Sequence, residues 1–241
     1  MQKINASSVS LNSDQAVYLE RKLAEFAAGI GHELNNPLAS IGGRVQLLMK
    51  TTSDERLRRD LSDIYSEVKR AGDLIADIRL YACPPVPVLG SVNIAELLQE
   101  VVNSYSKLCA EKNIRLEFSP SLPKLIVKAD YSQINVLFSA LIRNSMEALE
   151  NDSREFDKRI AVSVELVGNV VKTIVSDNGP GMTGEEKEHA FDPYYSARQA
   201  NRGLGFGLCK AQKIAQMHCA KIAIESNPKE GTSVIVELNR K

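Results

Sequence analysis

Phe191-Asp192-Pro193-Tyr194-Tyr195-Ser196-Ala197-Arg198, followed closely by Gly203-Leu204-Gly205-Phe206-Gly207-Leu208, is the stretch whose reading decides the rest of the chain. Three glycines at alternate positions open what reads as a helix from Leu208 to Met217. Glycine lets backbone N–H groups approach phosphate oxygens closely, and a helix N-terminus adds partial positive charge there. Just upstream lies a second glycine loop, Asp177-Asn178-Gly179-Pro180-Gly181-Met182, at the end of an apolar strand. Before that comes a helix carrying Asn144, and far upstream stands Gly31-His32-Glu33-Leu34-Asn35-Asn36-Pro37-Leu38. A glycine run alone is more often an ordinary turn. Four separated motifs in this order point to phosphate chemistry.

Composition sets few further limits. The 241 residues suit one large or two small domains, and 44% hydrophobic content is enough for a normal core. Formal charge is zero, which gives no electrostatic reason to expect nucleic acid as a partner. No apolar stretch approaches the roughly 20 residues needed to span a bilayer, and no basic-then-apolar leader follows Met1. Cys83, Cys109, Cys209 and Cys219 lack metal-ligand spacing. Reduced thiols and a cytoplasmic location are therefore expected.

The chain changes character near its first third. Leu23, Ala27, Ile30, Leu34, Ile41, Val45 and Leu48 form one apolar series; Leu57, Leu61, Ile64, Val68, Ala71, Ile75 and Ile78 form another. These heptad-like spacings predict two long helices, the second opened by a capping box, Thr52-Ser53-Asp54-Glu55. One helical hairpin cannot bury such a stripe, so two hairpins pairing into a dimeric four-helix bundle are expected, with a monomer covered by its own C-terminal domain as the alternative. The prolines of Cys83-Pro84-Pro85-Val86-Pro87 end the second helix. The expected domains are an all-α hairpin at 1–83, a linker at 84–91 and an α+β domain at 92–241.

In that last domain, helices are expected at Ile94–Lys112, from Asp130 to about Glu150, and at Leu208–Met217. Strands are expected at Ile114–Phe118, Leu125–Lys128, Ile160–Val167 and Val170–Ser176. Ile222–Glu225 and Ser233–Leu238 should close a hairpin. Separated runs of strands and helices imply a sheet with helices on one face. His189 and His218 read as surface residues.

Taken together the motifs resemble the catalytic core of the two-component histidine kinases, with a nitrogen-regulation type of H-box. The resemblance covers the chain from about Asp14. It implies a GHKL (Bergerat) ATP-binding sandwich after the hairpin, with ATP and Mg²⁺ as cofactors. It further implies a homodimer and a response regulator receiver domain as partners, with no membrane segment in the chain.

The resemblance also implies roles for individual residues. His32 would take the γ-phosphate, with Glu33 accepting the proton of the other imidazole nitrogen. Asn36 would orient a water for dephosphorylation of the regulator. Asn144 would ligate Mg²⁺, and Asp177 would accept from the adenine amine, with Gly179 and Gly181 lying against the base. Arg143 stands open between a phosphate contact and a solvated side chain. Arg198, ahead of Arg202, would neutralise the transferred group. Gly203, Leu204, Gly205 and Gly207 would cradle the phosphates, and Gly231-Thr232 resembles the last glycine motif. Relatives often carry a second asparagine where this chain has Ala140.

The implied activity is autophosphorylation of His32, transfer to a regulator aspartate, and regulator dephosphorylation. Two alternatives are a GHKL-type ATPase, which would lack the His32-Glu33 helix, and a non-catalytic phosphotransfer scaffold, which would have lost the glycine loops. Only about 13 residues precede the first helix, fewer than a sensor domain needs, so the stimulus is expected to come from a longer chain or a partner.

Overall fold

The structure, a computed structural model, describes residues 13–195 and 205–240; side chains of the first helix are described at positions 22, 25, 29, 31 and from 33 onward. Contacts divide the chain into two compact units, 1–84 and 85–241.

The first unit is a helical hairpin of α1 (Ser13–Thr51) and α2 (Glu55–Ala82). Gly31 faces Ile75 and Arg79, Gly42 faces Val68 and Tyr65, and Gln46 Nε2 donates to Tyr65 Oη at 2.6 Å. The partner's number falls as that on α1 rises, so the helices run antiparallel. Small residues at 31 and 42 let the helices approach, and Val45, Leu61 and Ile75 are buried. The turn differs from the predicted capping box. Asp54, not Thr52, is the N-cap of α2: its carboxylate accepts from the N–H groups of Arg56 and Leu57. Thr52 Oγ1 instead accepts from the Asp54 N–H at 3.1 Å. A carboxylate cap is favoured by the partial positive charge of the helix start.

The predicted apolar stripe divides in two. Leu34, Ile41 and Leu48 on α1, and Leu57 and Ile64 on α2, are spaced by seven residues and remain 45–52% exposed. Each helix can turn only part of its apolar surface towards the other, so these five side chains form a second seam along the hairpin.

The second unit opens with β1 (Gly90–Asn93), which pairs antiparallel with β3 (Ile126–Ala129). Gly90 and Ser91, expected in the linker, therefore belong to a strand. Between these strands lie α3 (Ile94–Glu111) and β2 (Arg115–Pro120). After them come α4 (Tyr131–Glu150), β4 (Arg159–Val167), β5 (Val170–Asp177), α5 (Gly184–His189), α6 (Gly207–Met217), β6 (Lys221–Asn227) and β7 (Gly231–Asn239). The main sheet has the order β2-β4-β5-β7-β6, with β2 parallel to β4 and every other pair antiparallel.

Alternation along the strands buries one row of the sheet: Ile160, Val162 and Val164; Val171, Thr173 and Val175; Val234, Val236 and Leu238. Leu97, Leu98, Ile134, Leu137, Phe138, Leu141 and Ile214 from α3, α4 and α6 complete the core. This is the expected α+β sandwich. The sequence reading missed α5, although its capping box is present: Thr183 Oγ1 accepts from Glu186 N–H, and the Glu186 carboxylate accepts from Thr183 N–H.

Candidate active site

The row of β5 runs Val171, Thr173, Val175, and its next member is Asp177, 7% exposed. An acid thus stands where alternation calls for an apolar residue. Burying a carboxylate is costly unless donors surround it. Here Ser145 Oγ donates to Oδ2 at 2.9 Å and the Gly179 N–H donates to Oδ1 at 3.0 Å. Ser145 lies on α4, itself 2% exposed. Nothing in the sequence singled it out, because a small polar residue among apolar ones on a helix carries no local signal. Thr232 is the register partner of Asp177 on β7 and is also buried.

The loop after Asp177 is fastened on both sides. Asn178 Oδ1 accepts from Arg159 N–H at 2.8 Å, and its Nδ2 donates to the Asp157 carbonyl at 2.7 Å. Ser226 Oγ accepts from Met182 N–H at 2.9 Å, donates to the Gly231 carbonyl at 2.8 Å and lies 2.9 Å from Thr232 Oγ1. The need for glycine here is tight packing of backbone on backbone. Gly181 has φ +70°, and a Cβ there would stand 1.9 Å from the Asn227 carbonyl oxygen. Gly231 has φ +100°, and a Cβ would stand 2.0 Å from the Asp177 carbonyl oxygen. Any side chain at 231 would therefore displace the acid itself.

Asn144 precedes Ser145 on α4 and is half-buried. Arg143 pairs with Glu147 along the same helix at 3.9 Å. Ala140, one turn earlier, is buried, and its carbonyl is 3.8 Å from where a Cβ of Gly207 would lie. Helix α6 thus starts against α4 near Asn144. Phe206, its N-cap, makes no side-chain capping bond. The N–H groups of a helix's first turn have no intrahelical acceptor and suit an anion. Gly205 packs on the backbone of Tyr194 and Tyr195, and the Tyr194 ring meets Phe206 edge-on at 4.6 Å. Arg198, Arg202, Gly203 and Leu204 lie outside the described residues.

Both histidines read as plain surface residues have partners. His189 Nδ1 is 2.7 Å from Asp192 Oδ2, and this carboxylate holds its pKa above the ordinary 6.5. His218 Nε2 accepts from the Asp130 N–H at 3.0 Å. The second partner is distant in sequence, which spacing does not reveal.

On the hairpin, the His32 side chain lies outside the described residues. Glu33 and Asn36 are exposed, and α1 continues through Pro37. No helix among the described residues is long and apolar enough to cross a membrane.

The His Kinase A (phospho-acceptor) domain matches residues 22–84, and the histidine kinase-, DNA gyrase B-, and HSP90-like ATPase family matches 129–241. Sporulation kinase C of Bacillus subtilis (strain 168) is 29% identical over 87% of this chain and 47% of its own length. The sensory histidine kinase/phosphatase NtrB of Klebsiella oxytoca is 27% identical over 90% of this chain and 63% of its own. The crystal structure of histidine kinase ThkA in complex with response regulator protein TrrA superposes with a TM-score of 0.65. It is 27% identical and covers 92% of this chain and 64% of that one. The chain spans about half the length of the curated relatives it matches. A phospho-acceptor hairpin matched over residues 22–84, followed by a GHKL-type ATPase domain matched over 129–241, makes this chain a two-component histidine kinase catalytic core.

Proposed function

We propose that the chain is an ATP-dependent protein-histidine kinase that phosphorylates His32 and passes the phosphoryl group to an aspartate of a response regulator receiver domain. The observation that carries this reading is Asp177, a buried acid held by Ser145 and Gly179 where the apolar row of the sheet ends. Its acceptor oxygens suit the exocyclic amine of adenine, whereas guanine presents an acceptor at that position. The ATPase family match and the ThkA complex with a response regulator agree with this reading.

Asn144 would offer an amide oxygen to Mg²⁺, and the start of α6 at Gly207, with Gly203, Leu204 and Gly205 before it, would receive the phosphates. Among the described residues no cluster of three or more His, Cys, Asp or Glu could hold a metal alone. Mg²⁺ bound together with the nucleotide would neutralise phosphate charge there. Arg198, with Arg202 as the second choice, balances charge on the group in flight. One His32 nitrogen attacks the γ-phosphorus, the P–O bond to ADP breaks, and Glu33 takes the proton from the other nitrogen. In the second step a regulator carboxylate oxygen attacks phosphorus, the P–N bond breaks, and the imidazole regains its proton.

Asn36, exposed one turn beyond His32, orients a water that dephosphorylates the regulator; the relative NtrB is named a kinase/phosphatase. The exposed seam of five side chains along the hairpin is the homodimer interface, closing a four-helix bundle. The reaction belongs in the cytoplasm, where ATP and reduced thiols coexist. Incubation with magnesium and γ-labelled ATP tests the reading. An acid-labile, base-stable label that disappears in His32→Ala supports it, and a label that persists in this variant refutes it.

A further inference from the structure

The linker holds an unexplained set of contacts. Of residues 84–88, Pro84-Pro85-Val86-Pro87-Val88, only the two valines carry an N–H. The Val88 N–H donates to Asp130 Oδ2 at 2.8 Å, while the Pro85 carbonyl accepts from Gln133 Nε2 at 2.8 Å. Both partners sit at the start of α4. Asp130 is its N-cap, with Oδ1 accepting from Gln133 N–H at 3.1 Å. The Val88 N–H, more than any other group, holds the Asp130 carboxyl below the usual carboxylate range.

Gln133 is buried, and its Oε1 has no hydrogen-bond partner among the described residues. A buried amide is costly, and here its Nε2 is satisfied by the linker. Asp130 is also tied to α6: its N–H donates to His218 Nε2, and His218 Nδ1 meets the Ile214 carbonyl at 2.9 Å. His218 is the C-cap of α6, the helix that opens at Gly207. One short segment of linker is thus fastened to the start of α4, the helix of Asn144, and through Asp130 to the end of α6, the helix that opens at Gly207.

We propose that Asp130 and Gln133 are positioning residues that clip Pro85–Val88 to the ATP-binding domain, so that only Cys83-Pro84 is left as free tether after α2. This deepens the kinase reading and rests on it, since a tether matters only if nucleotide must reach the hairpin. The prolines already hold the segment extended, which lowers the entropy lost on clipping. Unclipped, the free segment runs from Cys83 to Leu89. Once a tether spans its two sites, effective concentration falls roughly as the −3/2 power of its length, so lengthening a spanning tether from two to seven residues lowers it about sixfold. Clipping speeds transfer to His32 and leaves nucleotide affinity alone.

Two substitutions open the clip in different ways. Val88→Pro removes the donor without touching the helix cap. Asp130→Asn keeps a good N-cap, but with its oxygen turned to the Gln133 N–H its amide nitrogen, a donor, faces the Val88 N–H. Three readouts apply: amide exchange at Val88, affinity for a non-hydrolysable ATP analogue by calorimetry, and autophosphorylation rate at saturating ATP. The expected result is a protected Val88 amide in the unaltered chain. Both variants then keep nucleotide affinity within twofold while the saturated rate falls about sixfold. Three results would overturn the clip: an unprotected Val88 amide in the unaltered chain, an unchanged rate in both variants, or a matching loss of affinity. Failure of the unaltered chain to label at all would strike the kinase reading instead, and amide exchange would still decide whether the clip exists.

Discussion

Replacing Asp177 by Asn separates recognition from folding at the site. Asparagine has almost the same shape, and its carbonyl oxygen can still accept from the Gly179 N–H, now 3.0 Å from Oδ1. Its amide nitrogen then faces Ser145 Oγ, 2.9 Å from Oδ2, and a hydroxyl rotates to accept as readily as it donates. The core should therefore lose at most about 1 kcal/mol, equivalent to about 2–4 °C in a domain of this size. Adenine fares differently. Its amine would meet a donor in place of a charged acceptor, and a hydrogen bond to a charged group contributes about 1.5–3 kcal/mol. ATP affinity should fall about 10- to 150-fold. The preference for ATP over GTP should narrow as well, because guanine presents an acceptor there. Calorimetric titration beside a thermal melt reads both quantities. Affinity within threefold of the unaltered chain at an unchanged melting temperature would refute the assignment of Asp177. A melting temperature lowered by more than about 10 °C would refute the argument that the two donors are satisfied by either residue.

Other consequences follow from the hairpin and the α5 region. Ile41→Glu places a like charge on each side of the proposed seam and should weaken dimerisation by at least about 2 kcal/mol, or about 30-fold. Sedimentation should then show the 26.5 kDa chain as a monomer at concentrations where the unaltered chain is twice that mass, and an unchanged mass would dismiss the seam. Asn36→Ala should spare autophosphorylation while slowing regulator dephosphorylation at least about tenfold, since it removes only the water's positioning; equal loss of both activities would deny it a separate role. The His189 imidazole is held above its ordinary pKa of 6.5 by Asp192. The stability this pair contributes is full below pH 6.5 and is lost as pH rises through the raised value. An NMR titration of His189 should have its midpoint above 6.5, shifting down in Asp192→Asn; an unshifted midpoint would remove the pair from the account.

Periodicity carried most of the fold. Heptads marked both long helices, and β4, β5 and β7 were expected close to their observed bounds; periodicity is visible wherever an element buries one face against a core. It was blind where burial is small. In β1, Val92 is the only buried residue, so Gly90 and Ser91 read as linker. Helix α5 is six residues with none buried, and only its Thr183-to-Glu186 cap could have announced it. Heptads also state that a residue needs a partner without saying which one. Val45 finds it across the hairpin, while Ile41, four residues earlier, does not. Asp177 was legible as an acid closing an apolar strand. Ser145, which orients it, and Asp130, which reaches the linker 42 residues away, act through contacts that sequence spacing does not encode.

The most direct test locates the phosphoryl group. After brief incubation with Mg·ATP at neutral pH, fragmentation of the chain under alkaline conditions and mass spectrometry should find the added phosphate on the peptide spanning Gly31 to Arg44, at the imidazole of His32. Phosphate on a serine, threonine or aspartate, or on any peptide of the ATP-binding domain, would contradict the account.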